Sequence, residues 1–163
     1  MTFPAPALDV QELTDNVASV AQATGLFDKV NRYEPTQAPG NGLTAAVFLS
    51  GIGPLQFSGL DSTTIRYVFT CRIYTNIFFS LGDAPNPNMD AIDPVLGNAV
   101  STLIQAYTQD FTLDGSVMFM DLLGKFGVSL GGKAGYLQQD KKVFRIFDIT
   151  VPLIVPDVWE QSP

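Results

Sequence analysis

The clearest periodicity in the chain lies in "TTIRYVFTCRIYTNIFF", residues 63–79. Ile65, Tyr67, Phe69, Cys71, Ile73, Ile77 and Phe79 fall on one side of a two-residue repeat, interrupted only by Thr75. Thr64, Arg66, Val68, Thr70, Arg72, Tyr74, Asn76 and Phe78 fall on the other. Such alternation, in a run rich in β-branched and aromatic residues, predicts a strand. In two other places the repeat changes to that of a helix. Over 9–25, Val10, Leu13, Val17, Val20 and Ala21 form one stripe, with Asp9 as cap, Glu12 at the capping-box position and Gly25 at the C-terminal end. Over 93–109, Val95, Leu96, Ala99, Val100, Leu103, Ile104 and Tyr107 do the same, and Asp93-Pro94 reads as N-cap and first helical residue.

Shorter strands are expected at 26–34, 43–51 and 116–120, and a second long one at 136–157, "YLQQDKKVFRIFDITVPLIVPD". Pro152 inside this last run implies an edge position or a bulge. The pattern predicts one α+β domain over residues 1–163. Its mixed, mainly antiparallel sheet has two long strands and is packed by two amphipathic helices. A strand over 63–79 would span roughly 55 Å at about 3.3 Å per residue, more than a domain of this size is expected to pair with its own chain. The overhang calls for a second subunit.

Composition points the same way. Of 163 residues, 46% are hydrophobic and 15% charged, against about 25% charged in an average soluble domain. The deficit suggests that other molecules cover part of the surface. Residues 94–109 carry no charge at all, and the face opposite the apolar stripe holds Gly97, Asn98, Ser101, Thr102 and Gln105. That face reads equally well as an interface, since interface cores are depleted in charge, or as an uncharged solvent face. The formal net charge of -7 argues against a grip on nucleic acid, which needs clustered Lys and Arg. The only basic run is Lys141, Lys142 and Arg145. An acidic wall past which DNA slides without sticking is compatible with the charge.

Little in the chain suggests chemistry. There is no histidine, the commonest general base and metal ligand near neutral pH. The single cysteine, Cys71, excludes an intrachain disulfide and fits a reducing compartment. "MTFPAPALDV" lacks the features of a signal peptide, and the uncharged run 35–60 is too broken by Pro and Gly for a membrane helix. "GVSLGGKAG", residues 127–135, places Gly127, Gly132 and Lys133 at P-loop spacing, but Ala134 supplies no hydroxyl for magnesium, and a strand-like run follows. A mobile glycine-rich loop is the better reading. Asp83, Asp90 and Asp93, with Asn86 and Asn88, lack the order of a calcium loop. Arg66 and Arg72 alternate with apolar residues and are expected to pair with carboxylates such as Asp148 across strands. No catalytic residue, cofactor or metal is expected.

Nearly the whole chain also bears a family likeness. "GLFDKVNRYEPTQAPGNGLTAAVFLSGIGPLQFSGLDSTTIRYVFTCRIYTN", "MDAIDP", "DLLGKFG…AGYLQQDKKVFRI" and "ITVPLIVPDVWEQSP" resemble the tail terminator (tail completion) proteins of long-tailed phages and prophages of actinobacteria. The resemblance implies a structural virion protein and not an enzyme. It implies a homohexameric ring that caps the tail tube, ends its polymerisation and joins it to the head–tail connector proteins. Genomic DNA would pass through the lumen without specific binding, and no membrane is involved. With the overlong strands it suggests subunit contacts through the strands 63–79 and 143–155 and the helix 94–109. The candidate residues are Arg66, Arg72, Tyr74, Phe78, Phe79, Asn98, Ser101, Gln105 and Asp148. Another head–tail connector or closure ring is the nearest alternative. A small-ligand β-barrel, or an enzyme working with carboxylates, is the alternative from a different class; it would be a monomer.

Overall fold

The computed structural model describes residues 9–36, 42–55, 62–76, 92–139 and 141–160. Helix α1, Val10–Ala23, begins where the Asp9 carboxylate accepts a hydrogen bond from the Gln11 amide at 2.9 Å, which satisfies one of the helix's unpaired first-turn donors. It ends at Gly25, whose φ of 70° suits a residue without a Cβ. Strand β1 is Lys29–Asn31, β2 Thr44–Pro54 and β3 Ser62–Asn76. Helix α2 runs Ile92–Gln109, followed by β4, Phe119–Met120, β5, Gly131–Gln139, and β6, Lys142–Glu160.

These strands form one six-stranded sheet in the order β1-β2-β3-β6-β4, with β5 also on β6. Only β1 pairs in parallel, with β2; the rest is antiparallel. The fold is therefore α+β, as the periodicity predicts. β4 and β5 lie end to end along the same side of β6, since β5 pairs with Lys142–Thr150 and β4 with Leu153 and Ile154.

Three expectations change. The run 136–157 is not one strand: the chain turns at Lys141, which has φ 62°, and folds β5 back on β6 as a hairpin. Residues 131–135 are accordingly edge strand and not loop. More consequentially, β3 does not overhang. β2 pairs with it from Ile65 to Tyr74 and β6 from Ser62 to Asn76. The 19 residues of β6 supply the span that the sequence reading assigned to a second subunit. Ile77, Phe78 and Phe79 lie outside the described residues.

Pro152 sits in an interior strand, opposite Val68. Its carbonyl accepts from the Asp121 amide at 3.0 Å, so its other backbone position, the one without N–H, faces the same junction between β5 and β4. A missing donor costs least there.

Both helices cover one face of the sheet. Leu13, Val17 and Ala21 of α1 and Leu96, Val100, Leu103 and Tyr107 of α2 pack on Ile65, Tyr67, Phe69, Cys71 and Ile73 of β3 and on Ile149, Val151, Leu153 and Val155 of β6. The odd-numbered face of β3 is thus the core face, as its alternation implies. Burial of each such side chain contributes about 1.5–3 kcal/mol. The Tyr107 hydroxyl donates to the Val17 carbonyl at 3.0 Å and ties the two helices together. Val95, read as part of the apolar stripe, is 55% exposed instead.

Candidate functional site

Among the described residues the sheet's other face carries no helix, and the candidate charged residues Arg66, Arg72 and Asp148 lie on it. Arg72 and Asp148 are direct cross-strand partners. Arg72 Nε donates to Asp148 Oδ1 at 2.6 Å and Nη2 to Oδ2 at 3.1 Å, the two-pronged geometry that a guanidinium and a carboxylate match best. Glu34 approaches the same guanidinium at 3.5 Å, and Arg72 lies over the Phe48 ring at 5.4 Å. The hydrogen bonds to Asp148 hold the guanidinium in its charged form more firmly than usual.

Tyr74 belongs to the same patch. It packs edge-on against Phe144 with ring centroids 6.2 Å apart, and with Ala46 and Ile146 makes a small second core. Its hydroxyl is buried without a hydrogen-bond partner among the described residues. Burial raises its pKa, and neighbouring Arg72 pulls it back only in part. Residues 32–36 lie beside this end of the face: Pro35 is buried, and its carbonyl accepts from Gln139 Nε2 at 2.9 Å. Within the subunit Tyr74 is 1% exposed, and Arg72 and Asp148 pair with each other.

Arg66 departs from expectation. Its Nη1 donates to the Phe126 carbonyl at 2.6 Å, a backbone group and not a carboxylate. Phe126 belongs to the turn 121–130, which folds over this end of the open face. Asp121, 3% exposed, organises that turn. Its carboxylate accepts from the amides of Lys125 at 2.9 Å and Phe126 at 2.8 Å. Its own amide donates to Pro152, and its carbonyl accepts from Leu130 at 3.1 Å. Sequence reasoning passed over Asp121; the available signal was an Asp opening a Gly-containing turn, a place where side chains often cap backbone amides.

The P-loop-like stretch has a structural explanation. Gly132 faces α2, and a Cβ there would lie 3.3 Å from Phe147 Cδ1 and Val100 Cγ1. Lys133 sits opposite Asp148 in the ladder and, with Gly127, Ser129 and Thr150, lines an open hollow of about 390 Å³. The chain continues as strand, so this stretch does not open a helix whose N-terminus could hold a phosphate.

On α2, Asn98, Ser101 and Gln105 are exposed. The helix starts at Ile92, so Asp93 lies within its first turn instead of capping it, and pairs with Arg145 Nε at 3.0 Å. Pro94 is still in that turn, where a missing N–H costs little. Arg145 also stacks on Tyr136 at 4.5 Å. The other members of the candidate calcium loop, Asp83, Asn86, Asn88 and Asp90, lie outside the described residues. Cys71 is fully buried, and that burial pushes its thiol up to about 12, against a smaller opposing effect of Tyr107.

Compared with known proteins, the chain matches no protein-family model and no curated sequence. Among the described residues no helix is long and apolar enough to cross a membrane. Among the described residues, surfaces open to a partner include the outer face of α2, the edge of β5 that no strand pairs and the turn 121–130.

Proposed function

We propose that this chain is the subunit of a homomeric ring, a tail terminator that caps a phage tail tube and joins it to the head. The observation that carries the reading is the outer face of α2. Val95, Asn98, Ser101, Thr102, Gln105, Thr108 and Gln109 are exposed, and no charge occurs between Pro94 and Gln109 in a chain of net charge -7. A solvated helix normally carries charge on such a face, whereas interface cores lose it. The family likeness supplies the rest: six copies, a tail tube protein below, head–tail connector proteins above, and DNA passing through an acidic lumen that does not hold it by charge.

The overlong strand no longer supports assembly, because β6 pairs with it. Contacts between subunits are left to α2, to the β5 edge, which has no further strand partner among the described residues, and to the loops. Asn98, Ser101 and Gln105 remain candidates on that ground.

The test is native mass spectrometry and negative-stain imaging of the purified chain, alone and mixed with tail tubes or with DNA-filled heads. The reading expects six-fold rings seated on tube ends, with tubes of fixed length. Rings that bind only heads would move the protein to another position in the neck. A monomer that leaves tube growth unchanged would remove the reading altogether.

A further inference from the structure

Two surface features of the chain are complementary to one another. The first is a knob. Leu123 is 93% exposed, while its neighbour Leu122 packs against the core. The turn that carries Leu123 is anchored from below by buried Asp121, which holds the Lys125 and Phe126 amides. Exposed Lys125 stands two residues beyond the knob. Covering the apolar surface of this leucine would be favourable.

The second feature is a socket. Asn16, Ser19, Val20 and Ala23 of α1, with Asp110, Leu113 and Asp114 of the turn after α2, line a hollow of about 290 Å³. Val20, Ala23 and Leu113 supply its apolar lining, and Asp110 and Asp114 its acidic part. Neither acid has an ion-pair partner among the described residues. The turn holds Leu113 at φ 47° and Asp114 at φ 56°, a left-handed conformation that bulky residues avoid. That turn buries Leu113, at 3% exposure, and leaves Asp114 exposed.

We propose that Leu123 of one subunit seats in this socket on the next copy of the chain, with Lys125 against Asp110 and Asp114. The hollow has room for a leucine side chain and a partly apolar lining, and the Lys125 charge is complementary to Asp110 and Asp114. Knob and socket are different surfaces, so the contact is head-to-tail; repeated, it forms a ring where the rotation closes and a helical filament where it does not. The number of copies rests on the ring reading above; the contact itself does not.

The test uses engineered disulfides in the full chain, where Cys71, at 0% exposure, does not compete. Leu123→Cys and Ala23→Cys proteins, each shown by circular dichroism to be folded, are mixed under mild oxidation. The mixture is expected to give a cross-linked pair that neither protein gives alone. Adding Lys125→Glu to the knob chain should slow cross-linking roughly fivefold, and Asp114→Lys in the socket chain should restore it. A chain with both cysteines should give a ladder that closes at six. A ladder closing at another number keeps the contact and overturns the six-fold ring. A native particle of six copies with no cross-link overturns the contact and leaves the ring reading standing. No cross-link at millimolar protein overturns the contact as well.

Discussion

Replacing Asp148 by Asn separates two roles for the Arg72 patch, support of the subunit and contact between subunits. The change keeps the side chain's shape and removes its charge, leaving Arg72 with Glu34 at 3.5 Å as its remaining acid. Fully exposed ion pairs are worth about 0.2–1 kcal/mol, and breaking a fully buried pair costs about 3–5 kcal/mol. Here the side chains are 16% and 36% exposed and joined by two bonds of 2.6 and 3.1 Å. An intermediate cost of about 2 kcal/mol follows, which for a domain of this size lowers Tm by about 4–8 °C. Urea unfolding of wild type, Asp148→Asn, Arg72→Met and the double variant, followed by far-UV circular dichroism, gives the coupling directly. The expected coupling is about 1–2 kcal/mol, with little dependence on salt because the pair is half-buried. A coupling below about 0.5 kcal/mol, or loss of assembly with unfolding unchanged, would refute the assignment and return these residues to the interface.

Three further outcomes are expected. Tyr107→Phe removes the hydroxyl that binds the Val17 carbonyl and should cost about 1 kcal/mol in urea unfolding, with the fold unchanged by circular dichroism. Gly132→Val drives a branched side chain against Phe147 and Val100, already 3.3 Å from a bare Cβ, and should cost about 1–3 kcal/mol in the same assay. Cys71 should resist thiol reagents in the native protein and make it sensitive to alkali. Its folded value of about 12 lies above the ordinary 9.0, so the unfolded chain gives up this proton first. Stability is therefore full below pH 9 and falls as pH rises toward 12, by about 1.4 kcal/mol per unit for this group. Urea midpoints measured between pH 8 and 11 should fall less steeply in Cys71→Ala; equal slopes would contradict the assignment.

The local pattern carried what depends on repeat alone. The core face of β3, the stripe of α1 with its Asp9 cap and the Arg72–Asp148 pair each need only a period and a complementary charge at cross-strand distance. What failed depended on where the chain returns. The alternation continues through residues 136–157, and the turn at Lys141 carries neither Gly nor Asn to mark its left-handed φ. Once that turn was missed, β6 lost its hairpin partner and β3 seemed to lack a neighbour. Arg66 could not be placed from the sequence, because its acceptor is a backbone carbonyl sixty residues away. Of the surfaces, the charge-free face of α2 was readable as such. The knob and the socket were not, since they arise from a buried carboxylate and a left-handed turn that composition does not reveal.

The position of β6 also bears on how the chain is made. It lies between β3 on one side and β4 and β5 on the other, yet it is synthesised after every other described element. While the ribosome adds residues 142–160, β3 still lacks one of its two neighbours, and α2 lacks half of the floor it rests on. Pairing β3 with β6 closes loops of about seventy to one hundred residues, an entropic cost met before any long-range contact offsets it. A nascent chain stopped before β6 would expose the apolar face of β3 and an unpaired strand edge, the features that recruit chaperones or start aggregation. A folded sheet would then appear only after β6 has been made.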